Sequence, residues 1–195
     1  MRYNYDRGGN KVVRMEREER KEVRNALARA VDRLVEAMDV RLIPDAGMNI
    51  AYALPDAREP GDVAAVSGRI VRLGDAVHPE GEIAFGAGDH VARIVLTAMK
   101  FDPVIRSAAT IRFSEAAISE LDNLMFEICS FDRAKEPPGV RTMDWGVASC
   151  CRIGVPDVIY DRGGKEPMIR ILAEDPEAVA HNIIKLSARI TYARL

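Results

Sequence analysis

The spacing of apolar residues changes repeatedly along the chain, and each change marks an element. From Met15 to Met38, the residues Val23, Leu27, Ala30, Val31, Leu34 and Met38 recur at helical steps, which predicts a helix with one buried stripe. Lys, Arg and Glu cover its other faces, as on a solvated surface. Residues 1–14, short and carrying Gly8-Gly9, read as a hairpin or an arm. Met48–Leu54 is a compact apolar run stopped by Pro55 and predicts a strand, and Pro60-Gly61 marks a loop. Arg69–Leu73, the Gly74-Asp75 turn and Ala76-Val77 predict a hairpin, followed by a short strand over Glu82–Phe85. Gly86-Ala-Gly-Asp89 then opens a helix with Val91, Ile94, Val95 and Ala98 on its core face.

Phe101-Asp102-Pro103 breaks that helix. Ala108–Phe113 predicts a strand, and Ser114 caps a helix carrying Ile118, Leu121 and Met125. Phe126–Phe131 returns to strand, Asp132–Thr142 with Pro137-Pro138-Gly139 is the least ordered stretch, and Asp144–Ile153 reads as helix. Strands over Asp157–Tyr160 and Met168–Leu172 flank a Gly-rich loop. Asp175-Pro176 starts a last helix with Val179, Ile183, Leu186 and Ile190 as its stripe. Hairpins mix with helices without strict βαβ alternation, so the expected fold is α/β, a mixed sheet covered by helices. No solenoid period exists, and the recurrence of Tyr5–Gly9 as Tyr160–Gly164 is too short to indicate duplication.

Composition narrows the setting. The chain's 195 residues suit one well-buried core, with 48% hydrophobic and 30% charged residues. A net charge of −2 provides no overall field favouring nucleic acid or an anionic membrane. No apolar run approaches the roughly 20 residues of a membrane span, and the polar N-terminus lacks a signal-peptide core. Three cysteines, an odd count without Cys-x-x-Cys spacing, argue against a disulfide framework or a zinc site. The expected compartment is the cytoplasm.

Four groups of residues could carry chemistry. Gly86 and Gly88 stand before a helix start, where close backbone N–H groups and the helix dipole favour phosphate, although taken alone the signal is weak and a plain strand-to-helix turn accounts for the loop better. The loop lacks the third glycine of a dinucleotide fingerprint and the Gly-Lys-Ser/Thr of a P-loop. His90 falls in the first turn of that helix, where the dipole disfavours imidazolium and Asp89 opposes it. A neutral ring there could donate a hydrogen bond or shuttle a proton, or simply sit at the surface. Arg69 and Arg72 on an otherwise apolar strand could grip phosphate or line a solvated face. Around Gly163-Gly164, Arg162 and Lys165 could hold an anion and Asp161 or Glu166 a magnesium ion, or the segment could be a hydrophilic turn. Cys150-Cys151, Trp145, His78 and His181 read as structural or surface residues.

Several stretches together resemble one family. They are Ile43–Ala57, with Gly47-Met-Asn-Ile-Ala-Tyr-Ala-Leu-Pro55, then Gly68–Arg72, Phe85-Gly86, His90–Pro103, Ile111-Arg112, Phe131–Arg133, Trp145-Gly146 and Pro156–Leu172. In this order they are similar to the ThiN family of archaeal-type thiamine-phosphate synthases. The resemblance implies a three-layer α/β/α fold with a mixed, largely antiparallel sheet, like that of class II aldolases. It places an N-terminal arm and helix at 1–39 and the family domain at 40–195, within a single globular unit. It further implies a transferase that joins hydroxymethylpyrimidine diphosphate to hydroxyethylthiazole phosphate, releasing pyrophosphate, with Mg²⁺ as cofactor. Arg69 and His90 fall on the family's important arginine and histidine. The expected phosphate-binding residues are Asn49, Gly86, Gly88, Arg93, Arg112, Asp161, Lys165 and Glu166. The implied partners are phosphorylated small molecules and a second copy of the chain, not nucleic acid or membrane. The segment before residue 40 is too short for a fused kinase or DNA reader, so the diphosphate is expected from another enzyme. The sequence departs from the family in a slightly shorter loop before Lys165 and in Thr110, where Asn is expected. The alternative function is a non-catalytic sensor of thiamine phosphate, which needs the pocket but not the reactive groups.

Overall fold

The computed structural model describes residues 8–139, 142–163 and 166–192. A seven-stranded sheet forms its middle layer, in the order β5-β2-β1-β6-β9-β8-β7. These strands are β1 (Ile50–Ala53), β2 (Val63–Val66), β5 (Ile83–Phe85), β6 (Ser107–Arg112), β7 (Ile128–Asp132), β8 (Val158–Arg162) and β9 (Met168–Ala173). Every neighbouring pair is antiparallel except β7 and β8, which run parallel through the crossover helix α4 (Thr142–Cys150). The expected mixed, largely antiparallel sheet is therefore present.

Helices cover both faces. The 30-residue α1 (Gly8–Ala37), α3 (Glu115–Asn123) and α5 (Pro176–Tyr192) lie on one side, and their stripes meet in one core. Val23, Leu27 and Leu34 of α1 join Val179, Ile183 and Leu186 of α5 there. The other side carries α2 (Asp89–Met99) and α4, packed on small residues such as Ala51, Ala65 and Ala108. Small side chains let α2 approach the sheet closely, which fixes where its first turn points. A separate hairpin, β3 (Ile70–Leu73) with β4 (Ala76–Pro79), joins the main sheet at an antiparallel bridge between Met48 and Ile70.

Several expectations need correction. Helix α1 begins at Gly8, so residues 8–14 extend it rather than forming an arm; residues 1–7 lie outside those described. Once the charged stretch that follows is helical, each further residue adds a hydrogen bond without a new nucleation cost. Strand β2 has no counterpart in the sequence reading. Val63-Ala-Ala-Val66 is buried on both faces and four residues long, so it lacks the alternation that marks a half-exposed strand. Met125 is not a core residue: α3 ends at Asn123, and Met125 takes a left-handed φ of 64° and is 88% exposed. Cys129 and Cys150 form a disulfide between β7 and the end of α4, leaving Cys151 buried and free. An odd cysteine count does not forbid one pair, and strand-then-helix placement brings these Cα atoms to 5.8 Å.

Other local expectations hold in their physical detail. Ser114 Oγ accepts from the Ala117 amide and caps α3, and Asp175 Oδ1 accepts from Ala178 N at the head of α5. Trp145 packs edge-on against Phe131 at 5.9 Å. Among the described residues, no helix is long and apolar enough to cross a membrane.

Candidate active site

At one end of the α2-covered sheet face, the apolar core gives way to polar groups around a cleft of about 560 Å³. Its walls come from four places: Ala46–Asn49 ahead of β1, Gly68-Arg69 ahead of β3, Gly88–Val91 at the start of α2, and the facing ends of β6 and β9 with Thr110 and Met168. Arg69 and His90, separated in sequence by three strands and a loop, thus face one cavity.

Backbone geometry places each of them. The Met48–Ile70 bridge holds the Arg69 segment against Ala46-Gly47, and Arg69 Nη1 donates to the Ala46 carbonyl. Gly47 has φ +81°, and a Cβ there would lie 3.0 Å from Arg69 Cδ, so glycine lets the guanidinium stem cross flat. Gly88 is more constrained still. It caps α2 with φ +64°, and a Cβ would meet Ala65 Cβ at 2.8 Å. Glycine there seats the helix start on β2 and brings the first-turn amides to the cleft, an arrangement suited to an anion.

His90 is neutral at pH 7. Its pKa is lowered from 6.5 to about 4, first by desolvation of the ring and then by the cations Arg170, Arg133 and Arg69; Asp161 opposes them. The residue is exposed at the cleft mouth, so the surrounding positive charge matters alongside the packing. The opposing carboxylate is Asp161, not Asp89 as the sequence suggested, because Asp89 Oδ2 accepts from Arg93 Nε at 2.9 Å. A neutral imidazole can still donate from one nitrogen.

Beneath Met168 and Thr110 lies a buried ion cluster. Arg170, opposite Thr110 in the β6–β9 register, is 1% exposed. Its Nη1 donates to Asp161 Oδ1 at 2.8 Å and to the Met168 carbonyl at 3.0 Å. Asp161 also accepts from Met168 N, and its Oδ2 lies 3.3 Å from Arg133 Nε. Phe131 stacks below the Arg170 guanidinium at 5.3 Å, and Gly146 of α4 lets that ring approach, since a Cβ would clash with it at 2.4 Å.

The remaining expected site residues are scattered. Asn49 lines the cleft, but its amide is occupied by backbone: Nδ2 donates to the Val66 and Gly68 carbonyls, and Oδ1 accepts from Ile50 N and Val66 N. It knits β1 to the β2 loop rather than reaching a ligand. Gly86 does not line the cleft. Arg93 joins α2 to α4 through Asp89 and, at 3.8 Å, Asp144. Arg112 faces a second cavity with Arg41 and Arg72, held by the Ile43 carbonyl and Asp45. Asp161 is buried, its Oδ1 accepting from Arg170 Nη1 and Met168 N and its Oδ2 lying 3.3 Å from Arg133 Nε, so its carboxylate faces arginines rather than the cleft. Glu166 accepts from Asp45 N at 3.0 Å. Lys165 lies outside the described residues.

Among the described residues, no group of three or more His, Cys, Asp or Glu could hold a metal ion. Among the described residues, the one carboxylate lining the cleft, Asp89, is committed to Arg93. A dedicated protein cage for Mg²⁺ does not fit these residues. The sequence reading gave no role to Arg133 or Arg170. Arg133 stood in a family-like stretch, but only the fold brings it beside Asp161.

Comparison with known proteins places this site in a family context. The family model described as thiamine-phosphate synthase ThiN matches residues 26–185. The bifunctional thiamine biosynthesis protein ThiDN of Methanocaldococcus jannaschii is 46% identical over 156 residues, 77% of this chain; the chain spans only 37% of that relative's length. Thiamine-phosphate synthase ThiN of Methanothermobacter thermautotrophicus is 36% identical over 168 residues, covering 81% of this chain and 88% of that one. Among solved structures, the C-terminal domain of a phosphomethylpyrimidine kinase superposes with a TM-score of 0.79 at 38% identity, covering 86% of this chain and all of that one. A sugar-phosphate aldolase from Thermotoga maritima (TM-score 0.51, 17% identity, 90% of this chain and 94% of that one) shares the fold alone.

Proposed function

The chain belongs to the thiamine-phosphate synthase ThiN family, and from that premise we propose that the cleft joins a hydroxymethylpyrimidine diphosphate to a hydroxyethylthiazole phosphate. The observation that carries the reading is the convergence of Arg69 and a neutral His90 on one cavity. In the reaction the methylene C–O bond breaks, and its electron pair leaves with pyrophosphate. The resonance-stabilised methylene cation is captured by the thiazole nitrogen, forming the new C–N bond. Negative charge accumulates on the departing oxygen, so positively charged groups fixed before the reaction lower the barrier. Arg69 supplies a guanidinium at the cleft wall and the α2 amides supply further donors. His90 donates a hydrogen bond from its neutral ring without first taking up a proton.

Magnesium enters this proposal only as a companion of the diphosphate oxygens, because the cleft offers no carboxylate cage. The chain's own residues then bind and orient the phosphates. The test is direct: purified protein with both phosphorylated precursors and Mg²⁺ should yield thiamine phosphate and stoichiometric pyrophosphate. His90→Ala should lower kcat/KM roughly tenfold or more while leaving the melting temperature unchanged. Tight binding of thiamine phosphate without turnover would replace this reading with a sensor.

A further inference from the structure

Two guanidiniums share one carboxylate behind the cleft. Arg170 and Arg133 both pair with Asp161, so the cluster carries one surplus positive charge. Its hydrogen bonding is also incomplete: among the described residues, buried Arg170 Nε has no partner, and Asp161 Oδ2 receives no hydrogen bond although Arg133 lies 3.3 Å away. Surplus charge in a poorly solvated place is costly unless an anion completes it.

The two arginines differ in freedom. Arg170 is clamped by Asp161, the Met168 carbonyl and the Phe131 ring, and is 1% exposed. Arg133 sits in a short helical turn just after β7, fixed by Asp132 Oδ1 accepting from Ala134 N, and its side chain is 31% exposed. It touches Asp161 without a hydrogen bond, and its charge reaches His90. Arg133 does not line the cleft, but Asp161 meets the cleft-lining Met168 through its amide, so the partly exposed Arg133 side chain can turn past that point toward a ligand and leave Asp161 paired with Arg170.

We infer that Arg133 is a further phosphate-gripping residue of the cleft, held ready by the buried Asp161–Arg170 pair. The anion it takes is a phosphate or pyrophosphate oxygen of the substrate. Asp161 and Arg170 are positioning residues, setting the guanidinium's place rather than meeting the ligand. The inference rests on the proposed function for the identity of the anion, and on geometry alone for the grip.

Inorganic pyrophosphate is the probe, titrated calorimetrically into the wild type, Arg133→Gln and Arg133→Lys, with melting temperature as a control for folding. The expected result is affinity weakened roughly tenfold or more in Arg133→Gln and less in Arg133→Lys, which keeps charge but not the bidentate fork. In turnover, the diphosphate KM should rise more than kcat falls. Pyrophosphate affinity of Arg133→Gln equal to wild type, or no pyrophosphate binding by wild type, overturns the inference. If the wild type binds pyrophosphate through Arg133 yet forms no thiamine phosphate, the grip stands and the synthase reading falls. If thiamine phosphate forms with unchanged KM in Arg133→Gln, the synthase stands and the grip falls.

Discussion

Two cavities in this molecule, one lined by three arginines and one by Arg69 alone, differ in how that charge is compensated. The larger, of about 610 Å³, is lined by Arg41, Arg72 and Arg112. Each of these has its own acid: Asp39 for Arg41, Asp75 for Arg72 and Asp45 for Arg112. In the smaller cleft, Arg69 is held by a backbone carbonyl and has no acidic partner among the described residues; behind that cleft, outside its lining, Arg133 and Arg170 divide Asp161 between them. On the proposed reading, arginine count and cavity size do not pick out the anion site. Uncompensated charge beside convergent backbone donors marks an anion site, because a neutralised guanidinium has little left to offer a phosphate.

The contrast can be broken most sharply at Arg69. Arg69→Ala should reduce kcat/KM about a hundredfold, the scale seen when one donor to developing charge is removed, with unfolding midpoint unaltered. Activity within a factor of about two of wild type would remove Arg69 from the transition state. A smaller effect concerns pH. His90 is neutral down to about 4 in the folded chain and titrates near 6.5 when unfolded. Once the substrates' own phosphate ionisations, with pKa about 6, are allowed for, the free enzyme should show no His90 limb in kcat/KM near pH 6.5. Stability carries the matching sign. Below 6.5 the unfolded chain binds a proton the folded ring refuses, so stability should fall as pH drops from 6.5 toward 4. His90→Ala should flatten that slope in urea titrations. The smallest change is expected in the compensated cavity: Arg112→Gln should leave turnover within about twofold, and a large loss there would erase the distinction between the cavities.

Much of the fold was legible because its signals were local. Ser114 and Asp175 announced their helices by capping, and the Gly74-Asp75 turn announced its hairpin. Val63–Val66 was silent because burial on both faces removes alternation. The site was legible where a residue's neighbours in sequence are also its neighbours in space: Gly88 and His90 share a turn, and Arg69 follows Gly68 in the same wall. It was illegible where partners come from different strands. Asp161 looked like a metal or phosphate ligand until Arg170 and Arg133, from β9 and the turn after β7, proved to claim it. Asn49 misled for a related reason, since its amide serves the backbone of Val66 and Gly68.

The hairpin that carries Arg69 meets the main sheet at its base, beside that residue, while its far end bears the exposed Leu73 and Asp75 on either side of Gly74, whose φ of +63° asks for glycine. Extra residues or a fluorescent reporter grafted at that tip would hang in solvent, with the anchorage of the guanidinium undisturbed. The same hairpin that holds Arg69 at the cleft therefore offers an attachment point for watching ligands arrive.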